Sequence, residues 1–476
     1  GIRPRRGRRR ATGGGAARDT ARVPLVPVER PAELPLSHAQ QRLWMIHRMA
    51  PDSTAYHFPI VVRLRGPLDV PALRAALADL TARHETLRTV IGHRDGEPFQ
   101  RVLPAGQARP EPVVVRAAPH EVREVVRAAL GRPFDLATEP PLRVTLVAVD
   151  RPTEPGAAAP PAEHVLVLLL HHIATDEWSD RPFLRDLATA YAARRAGRAP
   201  DWPPLPVQYA DYTLWQHRLL GDPADPESLA GRQLAYWRTA LAGMPEELAL
   251  PADHPRSGRP DAAAAELTVD LPVEVTTRLR RLARQTGTST FMVVHALVAA
   301  LLHRLGAGTD IPLGAPIAGR SDAALDDLVG FFVNTLVLRT DVSGDPSFAE
   351  LLARVRQTDL AAFSHQDVPF EAVVEAVNPT RSILRNPLFQ VMVVHRPPVA
   401  PWPGLVGVTV VDEPVEPTAA RFDLVFDVAE ESVPAAAGAD DDRDPPRLLR
   451  WRLKYRTDLF ERATVAALGA RLCRLA

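Results

Sequence analysis

Hydrophobic residues follow two alternating spacings along the chain, one typical of amphipathic helices and one typical of strands. In the first half, helical spacing predicts helices over 36–49, 70–91 and 181–197. Apolar runs predict strands over 58–66, 142–150 and 164–173. The last of these contains the unbroken run "VLVLLL", which indicates a buried strand.

The second half of the chain repeats this alternation. Strands are predicted over 267–272, 310–320, 328–342, 388–396, 421–430 and 447–456. Helices are predicted over 347–377, over 459–476 and over 273–308, where Gly287 divides the segment into two. Since strands and helices alternate in both halves and no short repeat recurs, the sequence predicts an α/β protein with two lobes.

Composition divides the 476 residues into three parts. Residues 1–33 are basic and Gly-rich without apolar periodicity, which predicts a disordered linker, with a nucleic-acid-binding arm as the alternative. We expect an N-terminal lobe over 34–205 and a C-terminal lobe over 206–476. Pro- and Ala-rich composition predicts loops at 151–163 and 431–446.

Charge and cysteine content exclude several classes of protein. Lys plus Arg and Asp plus Glu each number 57, so no overall field selects nucleic acid or an anionic membrane. No apolar stretch approaches the roughly 20 residues of a membrane span, and the first residues lack the apolar segment of a secretory signal. The single cysteine, Cys473, excludes intrachain disulfides and suits a reducing compartment, so we expect a cytoplasmic protein.

Two adjacent histidines, His171 and His172, come at the end of the predicted buried strand, and Asp176 follows. Adjacent side chains in a strand point to opposite faces, so the pair does not easily share one metal ion, and we expect no metal. We interpret one histidine as a structural group and the other as facing a cleft. There a neutral imidazole can deprotonate or position an attacking amine or hydroxyl. An entirely structural pair is the alternative.

The stretch "HHIATDE" resembles the motif His-His-x-x-x-Asp-Gly of the condensation domains of nonribosomal peptide synthetases. Further segments resemble other motifs of that family in its order: "SHAQQRLWMI" (37–46), "RHETLRT" (83–89), "YADYTLWQ" (209–216), "VGFFVNTLVLR" (329–339), "HQDVPFE" (365–371) and "RNPLFQVMV" (385–393). The resemblance runs from about Leu34 to the C-terminus, so the sequence is identified as a member of this family.

The resemblance implies a fold and a reaction. The fold would be two chloramphenicol acetyltransferase-like lobes in a V-shaped pseudo-dimer, with the active site in a tunnel between them and latch and floor-loop crossovers from the C-terminal lobe. The reaction would be that of a peptide-bond-forming acyltransferase of secondary metabolism, in the synthesis of antibiotics or siderophores. The α-amine of an acceptor aminoacyl carrier protein would attack the thioester of a donor aminoacyl or peptidyl carrier protein.

The resemblance also implies the partners. These are an upstream donor carrier protein, a downstream acceptor carrier protein and an adjacent adenylation domain, with no nucleic acid and no membrane. We expect the excised domain to be monomeric. The domain itself would bind no cofactor, because the substrates arrive on the phosphopantetheine arms of the carrier proteins.

Residue roles carry over from the matching motifs. His172 would be the catalytic residue, either as a general base or as a group that orients the amine. His171 would be structural, and Asp176 would pair with Arg320, since two buried opposite charges need each other. Candidates for lining the substrate channel are Glu177, Trp178, Ser179, Arg181 and Asn334.

Glu177 stands where the family motif has glycine. A glycine there is explained by a positive φ or by the need for room beside the substrate. A glutamate would strain the loop, narrow the channel or place a negative charge near the incoming amine, and Arg181 would pair with it or gate the channel. We interpret Glu177 as a change in specificity or as neutral drift in an active domain, because both histidines and the aspartate remain. The alternative is a catalytically silent domain that recruits carrier proteins or tailoring enzymes.

The motifs also favour a subclass of the family. Heterocyclisation domains carry Asp-x-x-x-x-Asp in place of the histidine motif, epimerisation domains differ in the later motifs, and recruitment relatives have lost the histidine pair. The stretches "HHIATDEWS" and "FFVNTLVLR" favour the subclass that joins an L-configured donor to an L-configured acceptor. A starter or ester-forming domain is a smaller alternative.

Overall fold

The computed structural model describes most of the chain. The described residues are 23–150, 162–256, 263–380, 382, 384–396, 402, 404–413, 415, 420–433 and 447–476. The loops predicted at 151–163 and 431–446, and most of the predicted linker, therefore lie largely outside the described residues.

Most helices lie where the hydrophobic spacing predicts them. They are α1 (His38–Met49), α2 (Val70–Arg83), α3 (Val122–Leu130), α4 (Asp180–Arg195), α5 (Tyr209–Leu220), α6 (Leu229–Ala240), α7 (Val273–Thr286), α8 (Thr290–Arg304), α9 (Phe348–Phe363), α10 (Phe370–Val377) and α11 (Arg462–Leu475). As predicted, Gly287 separates α7 from α8, and its φ of 64° allows α7 to end there.

The strands form one small sheet and two larger ones. They are β1 (Leu34–Pro35), β2 (His57–Arg65), β3 (Thr89–Arg94), β4 (Glu97–Val102), β5 (Val113–Ala117), β6 (Leu142–Val149), β7 (Glu163–His171), β8 (Ala264–Leu271), β9 (Asp310–Ile317), β10 (Asn334–Asp341), β11 (Val391–Arg396), β12 (Thr409–Asp412), β13 (Leu424–Ser432) and β14 (Arg447–Arg456). The small sheet has the order β1-β4-β3.

The five-stranded sheet of the N-terminal lobe has the order β12-β2-β7-β6-β5, so β7 is its middle strand. Successive side chains of β7 enter two different cores. Val167 packs in the core that α1 and α3 share, whereas Leu168 packs in the core that α2 and α4 share. Burial on both faces explains the unbroken apolar run, and it fixes the position of the two histidines at the end of the strand.

The six-stranded sheet of the C-terminal lobe has the order β10-β9-β11-β13-β14-β8. One of its faces packs against α7, α8, α9 and α11, and the other packs against α6 and α10. The molecule is therefore an α/β protein with two layered lobes, as the alternation of strands and helices predicts.

Two segments of the C-terminal half cross to the N-terminal lobe. Strand β12 joins the N-terminal sheet beside β2, although β11 and β13 belong to the C-terminal sheet. Arg63 of β2 fixes this crossing through hydrogen bonds of 2.6 and 2.8 Å to the carboxylate of Glu413. The second segment, residues 329–333, enters the N-terminal cores through Val329 and Phe331. Together they bring the C-terminal half against the end of β7.

The helix predicted over 70–91 is too long. It ends at Arg83, and after a short 3₁₀ turn the chain continues into the hairpin of β3 and β4. The three residues at 89–91 include β-branched side chains that favour a strand, and the turn at Asp95-Gly96 has positive φ at both residues. These local signals outweigh the apolar spacing that suggests a continuous helix.

The prediction of a disordered linker is wrong for residues 23–33. Leu25 is buried in a cluster with Trp215 of α5, and the indole N–H of Trp215 donates a hydrogen bond of 2.6 Å to the carbonyl of Val23. The segment "VPLVPV" that begins at Val23 supplies apolar surface, which the basic and Gly-rich residues before it lack.

No single helix of the described residues is long and apolar enough to span a membrane. Helices α7 and α8 reach the required length and composition only together, and they are bent by 108° relative to each other.

Candidate active site

The histidines at the end of β7 point into different surroundings, as strand geometry predicts. The ring of His171 meets those of His47 and Phe134 edge-on, with centroids 6.0 and 5.8 Å away. Its Nδ1 accepts a hydrogen bond of 3.1 Å from the main-chain N–H of Ile173. Burial lowers the pKa of His171 well below its usual value, so the ring is neutral and serves the packing of the loop.

His172 opens a short 3₁₀ turn, and aromatic rings surround it. The centroid of Phe58 lies 4.9 Å from that of His172, and the centroid of Phe331 lies 6.0 Å away. Nδ1 of His172 lies 3.1 Å from the carbonyl oxygen of Thr175 and therefore donates its proton to it. This contact leaves Nε2 as the unprotonated nitrogen, and among the described residues Nε2 has no hydrogen-bond partner.

The pKa of His172 is lowered to about 4. Burial is the main cause and the positive charge of Arg421 adds to it, while Glu177 opposes the shift. At neutral pH the ring is therefore uncharged, and Nε2 can accept a hydrogen bond from a group in the cleft. Among the described residues, no group of three or more His, Cys, Asp or Glu residues is placed to hold a metal ion.

Asp176 joins the histidine loop to the second crossing segment. One of its carboxylate oxygens accepts hydrogen bonds from the main-chain N–H groups of Phe332 (2.8 Å) and Val333 (3.1 Å). The other lies 3.6 Å from the guanidinium of Arg320. Burial raises the pKa of Asp176, while Arg320 and the Phe332 N–H oppose the rise. The structure thus places Asp176 beside the arginine that the motif comparison names.

Ser179 does not line a channel, contrary to the prediction. It is fully buried, and its main-chain N–H and hydroxyl lie 2.9 Å from the same carboxylate oxygen of Asp176. The hydroxyl also accepts hydrogen bonds from Arg320 (2.9 Å) and from the N–H of Gly330 (3.1 Å). Ser179 therefore links the aspartate, the arginine and the crossing segment, and a hydroxyl suits this place because it both donates and accepts.

Arg320 is held by several further contacts. It donates a hydrogen bond of 2.9 Å to the carbonyl of Leu328 and another to the carbonyl of Leu325. Its guanidinium lies 4.3 Å from the ring centroid of Phe332. The arginine thus stabilises the turn that precedes the crossing segment as well as the aspartate.

Asn334 borders a cavity of about 230 Å³ that is also lined by Arg42, Arg320 and Phe331. Its amide is fully used by the protein. It donates to the carbonyls of Gln366 (3.0 Å) and Val368 (2.7 Å), and it accepts from the main-chain N–H groups of Thr335 and Phe370. Asn334 therefore shapes the wall of the cavity and holds the loop before α10. Phe331 connects the cavity to the ring of His172.

Glu177 is exposed and does not strain the loop. The described non-glycine residues with positive φ are Asp95, Asp345 and Asn378, so the backbone at Glu177 does not need glycine. Burial alone would raise the pKa of Glu177, but His172, Arg396 and Arg421 outweigh it and lower the pKa. The side chain of Glu177 is thus accessible to solvent and lies within the electrostatic influence of His172, Arg396 and Arg421.

Trp178 and Arg181 make few contacts. Trp178 is half-buried, and it has no hydrogen bond or ring contact to another described residue. Arg181 is exposed, and it forms no ion pair with Glu177, so that predicted pairing is wrong. The reason is geometric, because Glu177 lies near Arg396 and Arg421 of the C-terminal lobe instead.

Sequence reasoning missed three charged residues of this region. Arg396 ends β11 and Arg421 precedes β13, more than two hundred residues after the histidines. No local spacing connects such distant residues, so only the fold brings them near Glu177. Asp180 could have been predicted from the sequence, because it follows the candidate residue Ser179 directly and begins α4.

Comparison with known proteins gives a consistent picture. The family model of the condensation domain matches residues 31–475. The chain is 49% identical over 96% of its length to the probable non-canonical nonribosomal peptide synthetase CymA of Salinispora arenicola. It is 46% identical over 94% of its length to the dimodular nonribosomal peptide synthase of Bacillus subtilis. The chain spans only 6% and 18% of the lengths of these two relatives.

Solved structures show the same fold. The X-domain in its complex with OxyB from teicoplanin biosynthesis has a TM-score of 0.85 and 35% identity, covering 95% of this chain and 94% of that chain. The first condensation domain of the calcium-dependent antibiotic synthetase, in complex with a substrate analogue, has a TM-score of 0.71 and 21% identity, covering 94% of this chain and 96% of that chain. The second likeness concerns the fold alone.

Proposed function

Because this chain belongs to the condensation domain family of nonribosomal peptide synthetases, we propose that it forms a peptide bond between two carrier-bound substrates. The α-amine of the acceptor attacks the thioester carbon of the donor. A C–N bond forms, the C–S bond breaks, and the proton that the amine loses balances the thiolate released on the donor arm. The lengthened chain then stays on the acceptor carrier protein.

The arrangement of His172 carries this proposal. Its Nδ1 is occupied by the carbonyl of Thr175, so the free nitrogen, Nε2, is an acceptor. Phe58 and Phe331 flank the ring and limit the water around it. An acceptor nitrogen in such a place suits a step in which an N–H group must be held and then released.

The lowered pKa of His172 bears on its role. A group with a pKa of about 4 is a weak base, so it does not compete well for the proton of a free amine. It does accept a hydrogen bond while uncharged. We therefore propose that His172 orients the neutral amine towards the thioester, and that the proton passes to the leaving thiolate.

The buried network fixes this geometry. Asp176 and Arg320 tie the histidine loop to the crossing segment of the C-terminal half, and Ser179 connects them. Small displacements of a reacting group cost much rate, so a loop held from both lobes suits a condensing site. We propose that these residues position His172 and do not touch the substrates.

The proposed partners follow from the reaction. A donor and an acceptor carrier protein deliver the substrates on phosphopantetheine arms, and an adenylation domain loads the acceptor. The domain itself needs no cofactor, because the thioester is already activated. The L-configured donor and acceptor remain our prediction for the substrate class.

A recruitment platform is the second candidate. Two observations favour it: the X-domain, which resembles this chain with a TM-score of 0.85, was solved in a complex with OxyB, and Glu177 replaces the glycine of the motif. In such a domain the interface would carry the function, and His172 would be dispensable.

Amide formation between carrier proteins tests the proposal. Donor carriers with L- and D-configured aminoacyl groups are mixed with loaded acceptor carriers, and intact-protein mass spectrometry follows the product. We expect product with the wild type and a large loss with His172→Ala, while Glu274→Gln on α7 is the matched surface control. Retained binding of carrier proteins without product from any pair would instead favour the platform.

A further inference from the structure

The hydroxyl of Tyr209, the first residue of α5, contacts the second crossing segment. It donates a hydrogen bond of 2.7 Å to the carbonyl oxygen of Phe331. Tyr209 is buried, and burial raises the pKa of its phenol well above the usual value, so the hydroxyl keeps its proton. Because a carbonyl oxygen only accepts, this proton is committed to Phe331. Tyr209 thus binds the residue whose ring flanks His172.

The peptide group between Phe331 and Phe332 is held at both ends. Its C=O accepts the hydrogen bond from Tyr209, and its N–H donates a hydrogen bond of 2.8 Å to the carboxylate of Asp176. The C=O and N–H of a trans peptide lie in one plane and point in opposite directions, so the two bonds together fix the orientation of that plane. The position of the Phe331 ring beside His172 therefore depends on both bonds.

The crossing segment passes directly against the ring of Tyr209. The rings of Tyr209 and Phe332 meet edge-on, with centroids 5.2 Å apart. A Cβ atom at Gly330 would overlap the Tyr209 ring, so this approach requires a glycine. Gly330 thus allows the hydroxyl to reach the carbonyl of the next residue directly.

A chain of buried hydroxyl groups extends from Tyr209 to α1. The oxygen of Tyr209 lies 2.8 Å from the hydroxyl of Ser37, which is the N-cap of α1. Since the Tyr209 proton goes to Phe331, Ser37 is the donor of this bond. The Ser37 hydroxyl in turn accepts a hydrogen bond of 3.2 Å from the main-chain N–H of Gln40. All donors in the chain therefore point the same way, an arrangement in which the bonds strengthen one another.

Gln40 continues this chain to the histidine loop. Its side-chain oxygen accepts a hydrogen bond of 3.0 Å from the main-chain N–H of Ser37, and its side-chain nitrogen donates one of 3.3 Å to the carbonyl of Ile173. Ile173 follows His172 directly in the sequence. The three residues that form the chain are at most 2% exposed, so water does not compete for these bonds. The chain therefore joins the histidine loop to the crossing segment.

We propose that Tyr209 is a positioning residue for condensation, and that its hydroxyl sets the place of the Phe331 ring against His172. The inference rests on the proposed function and goes beyond it, because Asp176 holds only the N–H side of the peptide group. Loss of the hydroxyl leaves the buried carbonyl of Phe331 without a donor, so we expect the peptide group to turn and the ring to move. A small displacement at a reacting group costs much rate, so the effect should appear in the chemical step.

Tyr209→Phe tests the hydroxyl, because it removes the oxygen and retains the ring. The matched control is Tyr191→Phe on α4, a buried tyrosine whose hydroxyl accepts a hydrogen bond of 3.0 Å from the main-chain N–H of Asp69. Each variant leaves one main-chain group without its partner, so the two should lose similar stability.

Single-turnover amide formation with saturating carrier proteins measures the chemical step. It should slow by about 10–100-fold in Tyr209→Phe, with an unchanged half-saturating concentration of the acceptor carrier. Tyr191→Phe should keep the wild-type rate. A purely structural role predicts the same loss of rate in both variants.

The imidazole of His172 reports the position of Phe331 without requiring turnover. The Cε1–H signal of His172, observed by NMR in protein with isotope-labelled histidine, is sensitive to the ring current of Phe331, whose centroid lies 6.0 Å away. His172→Gln assigns this signal by its disappearance, and Phe331→Leu gives the shift expected when the ring is absent. We expect Tyr209→Phe to move the signal in the direction of Phe331→Leu, and Tyr191→Phe to leave it in place.

An unmoved His172 signal in Tyr209→Phe would overturn the positioning role. A loss of rate no larger than that of Tyr191→Phe would also overturn it, even with a moved signal, because the place of Phe331 would then not matter for the reaction. If Tyr209→Phe does not fold, Ser37→Ala interrupts the chain one residue earlier. It should give smaller changes in the same two measurements, and wild-type values of both would contradict the proposal.

The proposed function fails separately. A moved signal in a domain that gives no product from any carrier pair would keep the coupling between Tyr209 and His172 and reject the condensation. A condensation that depends on His172 but not on Tyr209 would do the reverse.

Discussion

Asp176 and Glu177 are neighbours in the chain and carry the same chemical group, yet they lie in opposite environments. Asp176 is fully buried and accepts hydrogen bonds from main-chain N–H groups of Ser179, Phe332 and Val333. Glu177 is exposed, and it has no ion pair among the described residues. The first carboxylate joins the two lobes, while the second is accessible to solvent and interacts electrostatically with His172. The surroundings of each group, and not its type, therefore decide whether its carboxylate is built into the fold or left accessible to solvent.

Arg320→Ala, which removes the partner of the buried Asp176, should have the largest effect on the free energy of unfolding. It leaves the charge of Asp176 without its partner, so we expect the free energy of unfolding to fall by about 3–5 kcal/mol. Urea denaturation followed by circular dichroism measures it. Arg181→Ala removes an exposed arginine and should change stability by less than about 0.5 kcal/mol. Similar small values for both variants would contradict a structural role for the pair.

Acidification should lower the free energy of unfolding through His172, which lies buried close to both carboxylates in the chain. Since the pKa of His172 is lowered to about 4 from 6.5, the unfolded chain binds a proton that the folded chain does not bind between these pH values. Stability is therefore complete above pH 6.5 and is lost as the pH falls towards 4. Between pH 7 and 4, wild type should lose on the order of 3 kcal/mol more than His172→Gln. An identical pH dependence of the two unfolding curves would refute the buried neutral histidine.

Ser179→Ala should give an intermediate effect. The hydroxyl connects Asp176, Arg320 and Gly330 in a buried place, and its removal leaves polar groups without partners. We expect a loss of about 1–3 kcal/mol in the free energy of unfolding. Ser364→Ala removes an exposed hydroxyl directly after α9 and serves as the control. A loss no larger than that of the control would contradict the structural role of Ser179 and would favour the prediction that it lines the channel.

Glu177→Gly should give the smallest effect on stability. The side chain is exposed and the backbone has no positive φ there, so the change should stay within about 1 kcal/mol. The same denaturation experiment checks it beside Arg320→Ala. A loss as large as that of Arg320→Ala would mean that Glu177 belongs to the buried network.

Much of the fold follows from the hydrophobic pattern. The run before His171 predicts a buried strand, and β7 is the middle strand of its sheet. The hairpin of β3 and β4 was missed because apolar spacing continues from α2 into it. The prediction of disorder fails for residues 23–33 because it rests on the average composition of residues 1–33. The first part of that segment is basic and Gly-rich, whereas the part that begins at Val23 is apolar.

The residues of the candidate site also fall into those that the sequence predicts and those that only the structure shows. The motif names His172 as the candidate catalytic residue. The motif comparison also predicts that Asp176 pairs with Arg320, and the structure places them together because each buried charge needs a partner. Ser179 looks identical in sequence whether its hydroxyl faces a channel or a carboxylate, so only burial distinguishes the two. Arg396 and Arg421 come near Glu177 through the packing of the lobes, which no local sequence pattern predicts.

The rate of a single turnover by His172→Ala separates chemistry from folding most directly. The rate of amide formation and the free energy of unfolding are measured on the same sample and compared with those of wild type and Arg320→Ala. We predict that His172→Ala stays folded and loses about 10²–10⁴-fold in rate. A folded His172→Ala that condenses as fast as wild type would contradict the assignment of the chemistry to this histidine.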